Sequence, residues 1–172
     1  MLGKKNGLSK KLEEYLGRGL FSVHCMAHRL QLSAGHAFEK KPKFQRIEEL
    51  ISGIYNFYNN KGHKRKGHLR ETANVMALTY YEFAALFKIR WLAAEFTALY
   101  KIYKSFSLVH SVLQSLVVDT ETDTVTKAQA TGLLCMLTDK YLLEFMHFML
   151  DVLNSLSYLS TLLRRSFKKS CK

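Results

Sequence analysis

The pair of residues best suited to chemistry is Cys25-Met-Ala-His28. A Cys-x-x-His spacing offers two zinc ligands from one turn of chain, but a structural zinc takes four. No second pair stands nearby: His24 and His36 fall on other faces, and Cys135 and Cys171 are remote. A Cys–His nucleophilic dyad needs a third residue to orient the base, and no Asn or Asp stands close in sequence. On the residues alone, the alternative is a small buried Cys beside a hydrogen-bonded His. The carboxylates compose no obvious metal site. Glu13-Glu14, Glu48-Glu49 and Glu71 look like solvated helix faces, and Asp119, Glu121 and Asp123 lie in a polar linker without the Gly and closing Glu of a calcium loop. No phosphate loop, Gly-x-Ser-x-Gly or His-Glu-x-x-His is present, so the residues predict no catalytic site, no metal and no cofactor.

Charge is the stronger signal. The 172 residues carry 26 Lys and Arg against 14 Asp and Glu, a net +12. Residues 1–70 hold +10, residues 71–163 hold −3 and residues 164–172 hold +5. No acid falls between Glu49 and Glu71, and Lys61, Lys64, Arg65, Lys66 and Arg70 lie in that gap. Such a cluster attracts a phosphate backbone; equally, it can be a solvated loop. Arg90-Trp91, with the only Trp of the chain, stands at the head of a long apolar pattern. On the residues alone it reads as a helix-start Trp packed on the core with an Arg reaching outward.

The elements that must position these residues are mostly helices. Ser9 to Leu16 reads as a short amphipathic helix capped by Ser9 and stopped by Gly17 and Gly19. Leu20 to Cys25 reads as the one strand, and Met26 to Phe38 as a helix. Pro42 suits a helix first turn, and Phe44, Ile47, Leu50, Ile51, Ile54, Tyr55 and Tyr58 form its apolar stripe, ending at Asn59. His63 to Gly67 reads as a basic loop, His68 to Val75 as a short helix, and Tyr80 to Phe87 as helical or irregular. One long helix is predicted from Trp91 to Val117. Another runs from Thr126 to the tail, capped by Thr124 or Thr126 and interrupted near Asp139.

A lone strand cannot satisfy its own backbone groups. The fold class predicted is therefore mainly α: residues 1–39 as part of an α/β unit contributing one strand, and residues 40–172 as a helical domain. Three dispersed cysteines do not form a secreted disulfide framework, the start lacks the apolar core of a signal peptide, and no apolar run is long enough to span a bilayer. A reducing compartment and no membrane partner are expected.

Taken in order, Gly3-Lys4-Lys5-Asn6-Gly7-Leu8, Val23-His24-Cys25-Met26-Ala27-His28-Arg29-Leu30, Ile54-Tyr55-Asn56-Phe57-Tyr58, the basic Lys64-Arg65 stretch, Arg90-Trp91-Leu92, Asp151-Val152-Leu153 and Leu156-Ser157-Tyr158-Leu159-Ser160 resemble the middle of a hAT-type transposase. The Cys-x-x-His-Arg-Leu block and the Arg-Trp pair are the specific parts. The resemblance implies an RNase H-like core, its edge in residues 1–39, interrupted by an all-helical insertion domain. Of the family's three metal-binding acids, two would fall before Gly3 and one beyond Lys172, so no catalytic carboxylate is carried over and no enzymatic activity is expected. Cys25 and His28 would be former active-site neighbours. Arg90 and Trp91 would contact DNA, where stacking stabilises an unpaired base by about 1–3 kcal/mol. The implied function is a catalytically inactive, nuclear, DNA-binding fragment. The alternative is a helical interaction module that pairs with another copy or a nuclear protein through the Leu-, Met- and Phe-rich stripe of residues 126–163.

Overall fold

The computed structural model describes residues 7–19, 25–59, 63–86 and 91–170, without the side chains of 9, 63, 91 and 165–170. Among these residues there are eight helices and no strand. The expected mainly helical fold is present. The expected strand at Leu20 to Cys25 lies outside the described residues except for Cys25, which precedes a helix rather than ending a strand.

Helix α1 spans Leu8–Leu16, one residue earlier than expected, with Gly7 rather than Ser9 at its N-cap. It ends where Gly17 enters the left-handed region at φ 61°, a conformation that costs glycine nothing. Among the described residues α1 packs on no other helix. Helix α2 spans Met26–Glu39, and α3 spans Pro42–Asn59, with proline at its start because a first-turn residue needs no N–H.

The core is built around α3. Phe44, Ile47, Leu50, Ile51, Ile54, Phe57 and Tyr58 are all buried. Their recurrence every three or four residues puts them on one broad face. Helices α5 (Trp91–Lys104), α7 (Thr124–Thr138) and α8 (Lys140–Ser170) pack around this face, while α2 lies against α5 and α8. The remaining layer is α6 (Phe106–Val118), which buries Leu108, Val109, Val112 and Leu113 and lies mainly against α7.

Three expectations need correction. The residues read as a basic loop, 63–67, are the opening turns of α4, which runs His63–Val75. The single helix expected from Trp91 to Val117 is two helices, α5 and α6, broken at Ser105. The cap before α7 is Asp123, whose Oδ1 accepts from the Thr126 backbone N–H at 2.9 Å, rather than Thr124 or Thr126. The expected break near Asp139 is present. There Asp139 Oδ1 accepts from the N–H groups of Tyr141 (2.9 Å) and Leu142 (3.2 Å) at the start of α8. No helix among the described residues is long and apolar enough to cross a membrane.

Candidate nucleic-acid interface

The basic cluster chosen from the sequence divides when its side chains are placed. Arg65 is half-buried and its guanidinium is engaged by other parts of the fold. Its guanidinium lies 4.3 Å from the Phe57 ring centroid, donates to the Phe57 carbonyl oxygen at 3.3 Å and donates to Thr126 Oγ1 at 2.7 Å. It thereby ties α4 to α3 and α7. Lys66 pairs with the Glu82 carboxylate, and this contact, mainly its hydrogen bond, holds Glu82 below the usual carboxylate range. Lys101 Nζ donates to the Glu82 carbonyl oxygen at 2.8 Å. Arg70 lies 5.1 Å from the Tyr80 ring centroid. Lys66, Arg70 and Lys101 thus hold the irregular segment 78–86 against the body. Lys64 is exposed. Lys61 and Arg90 lie outside the described residues. Trp91 is the first residue of α5, and its neighbour Leu92 is buried.

A second group of cations flanks Pro42. Lys40, Lys41 and Lys43 surround the α2–α3 junction, and all three are exposed. Their nearest basic neighbour along α3, Arg46, is instead paired with Asp139 at 3.1 Å. Lys41, Pro42 and Lys43 line a cleft of about 360 Å³ with Ala37, Phe38 and Phe145. These lysines and Lys64 stand at opposite ends of α3. An 18-residue helix separates them by roughly 25 Å, at 1.5 Å per residue.

Cys25 and His28 occupy the entry to α2, and both side chains are exposed. The backbone N–H groups of His28 and Arg29 donate to the Cys25 carbonyl oxygen at 3.0 and 3.1 Å, which closes the first turn. The buried-pair alternative is therefore incorrect for this pair. Among the described residues no three His, Cys, Asp or Glu side chains stand close enough to hold a metal ion. The linker acids have local duties. Asp119 accepts from Thr122 Oγ1 (2.6 Å) and the Glu121 N–H (3.1 Å), which hold its carboxyl low, while Asp123 caps α7.

Glu95 escaped the sequence reading. It lies on α5 and is 1% exposed. Its Oε1 has no hydrogen-bond partner. Burial, reinforced by the Glu48 carboxylate, pushes its carboxyl up to about 8. The available signal was positional: Leu92, Glu95, Leu99 and Ile102 recur at helical spacing, so an acid occupies a place on an otherwise apolar face.

The stripe proposed as an interaction surface, residues 126–163, is largely core. Ala130, Leu133, Leu137, Leu142, Met146, Met149 and Leu153 are all buried. Within the stripe Tyr141, Phe148, Tyr158, Leu159 and Leu162 stay exposed, and outside it so do Leu8, Leu12, Tyr15 and Leu16 on α1. Compared with known proteins, the chain matches no family model and no solved structure.

Proposed function

We propose that this chain is a nucleic-acid-binding helical domain of hAT-transposase descent that acts in the nucleus and has no strand-cleaving activity of its own. The observation that carries the binding part is the combination of a strong charge asymmetry with accessible charge. Residues 1–70 hold +10, and within them Lys40, Lys41, Lys43 and Lys64 are exposed. Solvated lysines of this kind release counterions from a phosphate backbone, and that release drives sequence-independent binding. The descent rests on the Cys25–Leu30 block and Arg90-Trp91. On this reading Trp91, Arg90 and Lys61 also contact the nucleic acid, whereas Arg65, Lys66 and Arg70 serve mainly to hold α4 in place.

The test is a gel-shift titration of duplex and single-stranded DNA at increasing salt, with Mg²⁺ added in a parallel series. The reading expects binding at low salt, a log–log salt slope of about −3 or steeper for three or more phosphate contacts, and intact strands in Mg²⁺. Absence of binding at the lowest salt removes the nucleic-acid reading, and cleavage removes the non-catalytic one.

One observation favours a second reading, a protein-interaction module. Helix α1 exposes Leu8, Leu12, Tyr15 and Leu16 and packs on no other described helix. A helix of nine residues is marginal by itself in water. Sedimentation over a range of concentrations separates the readings, because a monomer throughout counts against self-association.

A further inference from the structure

We propose that the groove between α5 and α8 is a pocket for an unstacked nucleobase of a single strand. This deepens the nucleic-acid reading above and rests on it. The groove encloses about 540 Å³ and has two unlike walls, a size ordinary for a small-ligand site. The α5 wall is aromatic: Phe96, Tyr100 and Tyr103 recur at the four- and three-residue spacing that aligns side chains on one helix face. Phe96 and Tyr100 stack with centroids 5.7 Å apart, and Tyr100 and Tyr103 each keep about two fifths of their surface open. The α8 wall carries the polar groups: beside Leu150, His147, Asp151 and Asn154 line it with the same periodicity.

The polar wall presents a mixed hydrogen-bonding edge. His147 Nδ1 lies 2.8 Å from the Leu143 carbonyl oxygen, which can only accept. Nδ1 therefore carries the proton, and in the neutral ring Nε2 is left as an acceptor. The Asp151 carboxylate accepts, and the Asn154 amide both donates and accepts. A planar ring lying on Tyr100 and Tyr103 would turn its donor and acceptor edge toward these three groups. His147 itself meets Tyr103 edge to face, with centroids 5.2 Å apart, which fixes the corner of the pocket.

Charge selects among the ligands that stack. Lys104, whose Nζ is 5.5 Å from the Tyr100 ring centroid, brings a positive charge beside this platform. The walls of the groove lie in residues 71–163, which hold −3, and Asp151 lines it, so a negative group is drawn to the Lys104 side alone. A base joined to a phosphate satisfies both demands, with the ring on the tyrosines and the phosphate toward Lys104. Asp151 keeps the phosphate from the opposite end.

The experiment compares fluorescence anisotropy of a short labelled oligothymidine with that of an abasic strand of equal length and charge. The wild-type protein is expected to bind the base-bearing strand about tenfold more tightly. Tyr100→Leu with Tyr103→Leu should abolish that preference while keeping the affinity for the abasic strand, and Tyr103→Phe should retain the preference. If the double variant is not folded by circular dichroism, the readout is thymidine monophosphate titrated into the wild-type protein, with shifts expected at the ring resonances of Tyr100, Tyr103 and His147. Equal affinity for both strands, a preference that survives in a folded double variant, or no ring shifts would overturn the pocket while leaving general nucleic-acid binding intact. Failure to bind either strand would remove both readings together.

Discussion

Among the buried side chains with an unpartnered polar atom in the described residues, Glu95 and Tyr58 bear most directly on stability. Glu95 is enclosed among apolar neighbours and near a second carboxylate, and its carboxyl is pushed up to about 8 from an ordinary 4.5. Between these values the folded protein holds a proton that the unfolded chain has released. The folded state then binds more protons, so stability falls as pH rises through that interval. This contribution is fully present below about pH 4.5 and is lost by about pH 8. Glu95→Gln cannot ionise. The difference in Tm between variant and wild type is therefore expected to grow in favour of the variant across that window, reaching several degrees on a scale of about 2–4 °C per kcal/mol. Parallel Tm profiles for the two proteins would exclude this role. Tyr58 is the second case. Its hydroxyl is buried without a partner, and burial raises its pKa despite the opposing influence of Arg65. Tyr58→Phe removes the stranded hydroxyl and keeps the ring that meets Phe57 and Phe83. It is expected to stabilise the fold by about 1 kcal/mol in denaturant unfolding.

The clearest departures between sequence pattern and structure are at the level of the element, and α4 shows why. Its first turns contain Lys64, Arg65, Lys66 and Gly67, with no apolar periodicity to mark a helix. What holds it is distant in the chain: Phe57 and Thr126 for Arg65, and Glu82 for Lys66. Among its described side chains Leu69 and Ala73 alone are buried. Local propensity therefore gave a loop, and tertiary contacts made a helix. The reverse failure occurs at Ser105, where the apolar pattern Ile102, Phe106, Val109 continues across a real break, so the sequence reads as one helix. By contrast most of α3 was legible, since its Pro42 start and most of its stripe follow from local rules, although Phe57 is buried and Tyr55 only half-buried. The candidate interface was half legible. Charge can be counted from sequence, but which cations are already committed depends on partners tens of residues away.

Helix α4 also carries its glycine in an unfavourable place. Gly67 is exposed in the helix interior, and a Cβ there would meet nothing within 4 Å. The helix end, by contrast, has Ala77 at φ 51°. There the Leu78 N–H bonds the Ala73 carbonyl (2.9 Å) and the Ala77 N–H bonds the Asn74 carbonyl (3.2 Å). This is the paired pattern that normally places glycine in the left-handed position. Gly67→Ala and Ala77→Gly should each stabilise by about 0.5–1 kcal/mol. Ten residues apart, the two should nearly add. Equilibrium denaturation of the two single variants and the double variant checks this, and a loss of stability in either single variant would contradict the geometry.

For the molecule as a whole, the two sets of cations should separate in their effects on binding and stability. Lys40, Lys41 and Lys43 are exposed at the α2–α3 junction, so replacing all three with Glu leaves the core untouched. On the proposed function, the triple variant should weaken DNA binding and make the log–log salt slope shallower by about 3 if each lysine contacts a phosphate. Its Tm should hold or rise slightly, because a strongly positive molecule repels itself and the substitution halves the net +12. Arg65→Met should do the opposite. It removes the donors to Phe57 and Thr126 and the charge over the Phe57 ring, at a cost of about 1–3 kcal/mol in stability. The salt slope should stay nearly unchanged, since that guanidinium is already engaged inside the protein. If the two variants instead gave equal losses in both affinity and Tm, the division between binding and bracing cations would be wrong. The basic character of the first 70 residues would then act as one undivided surface.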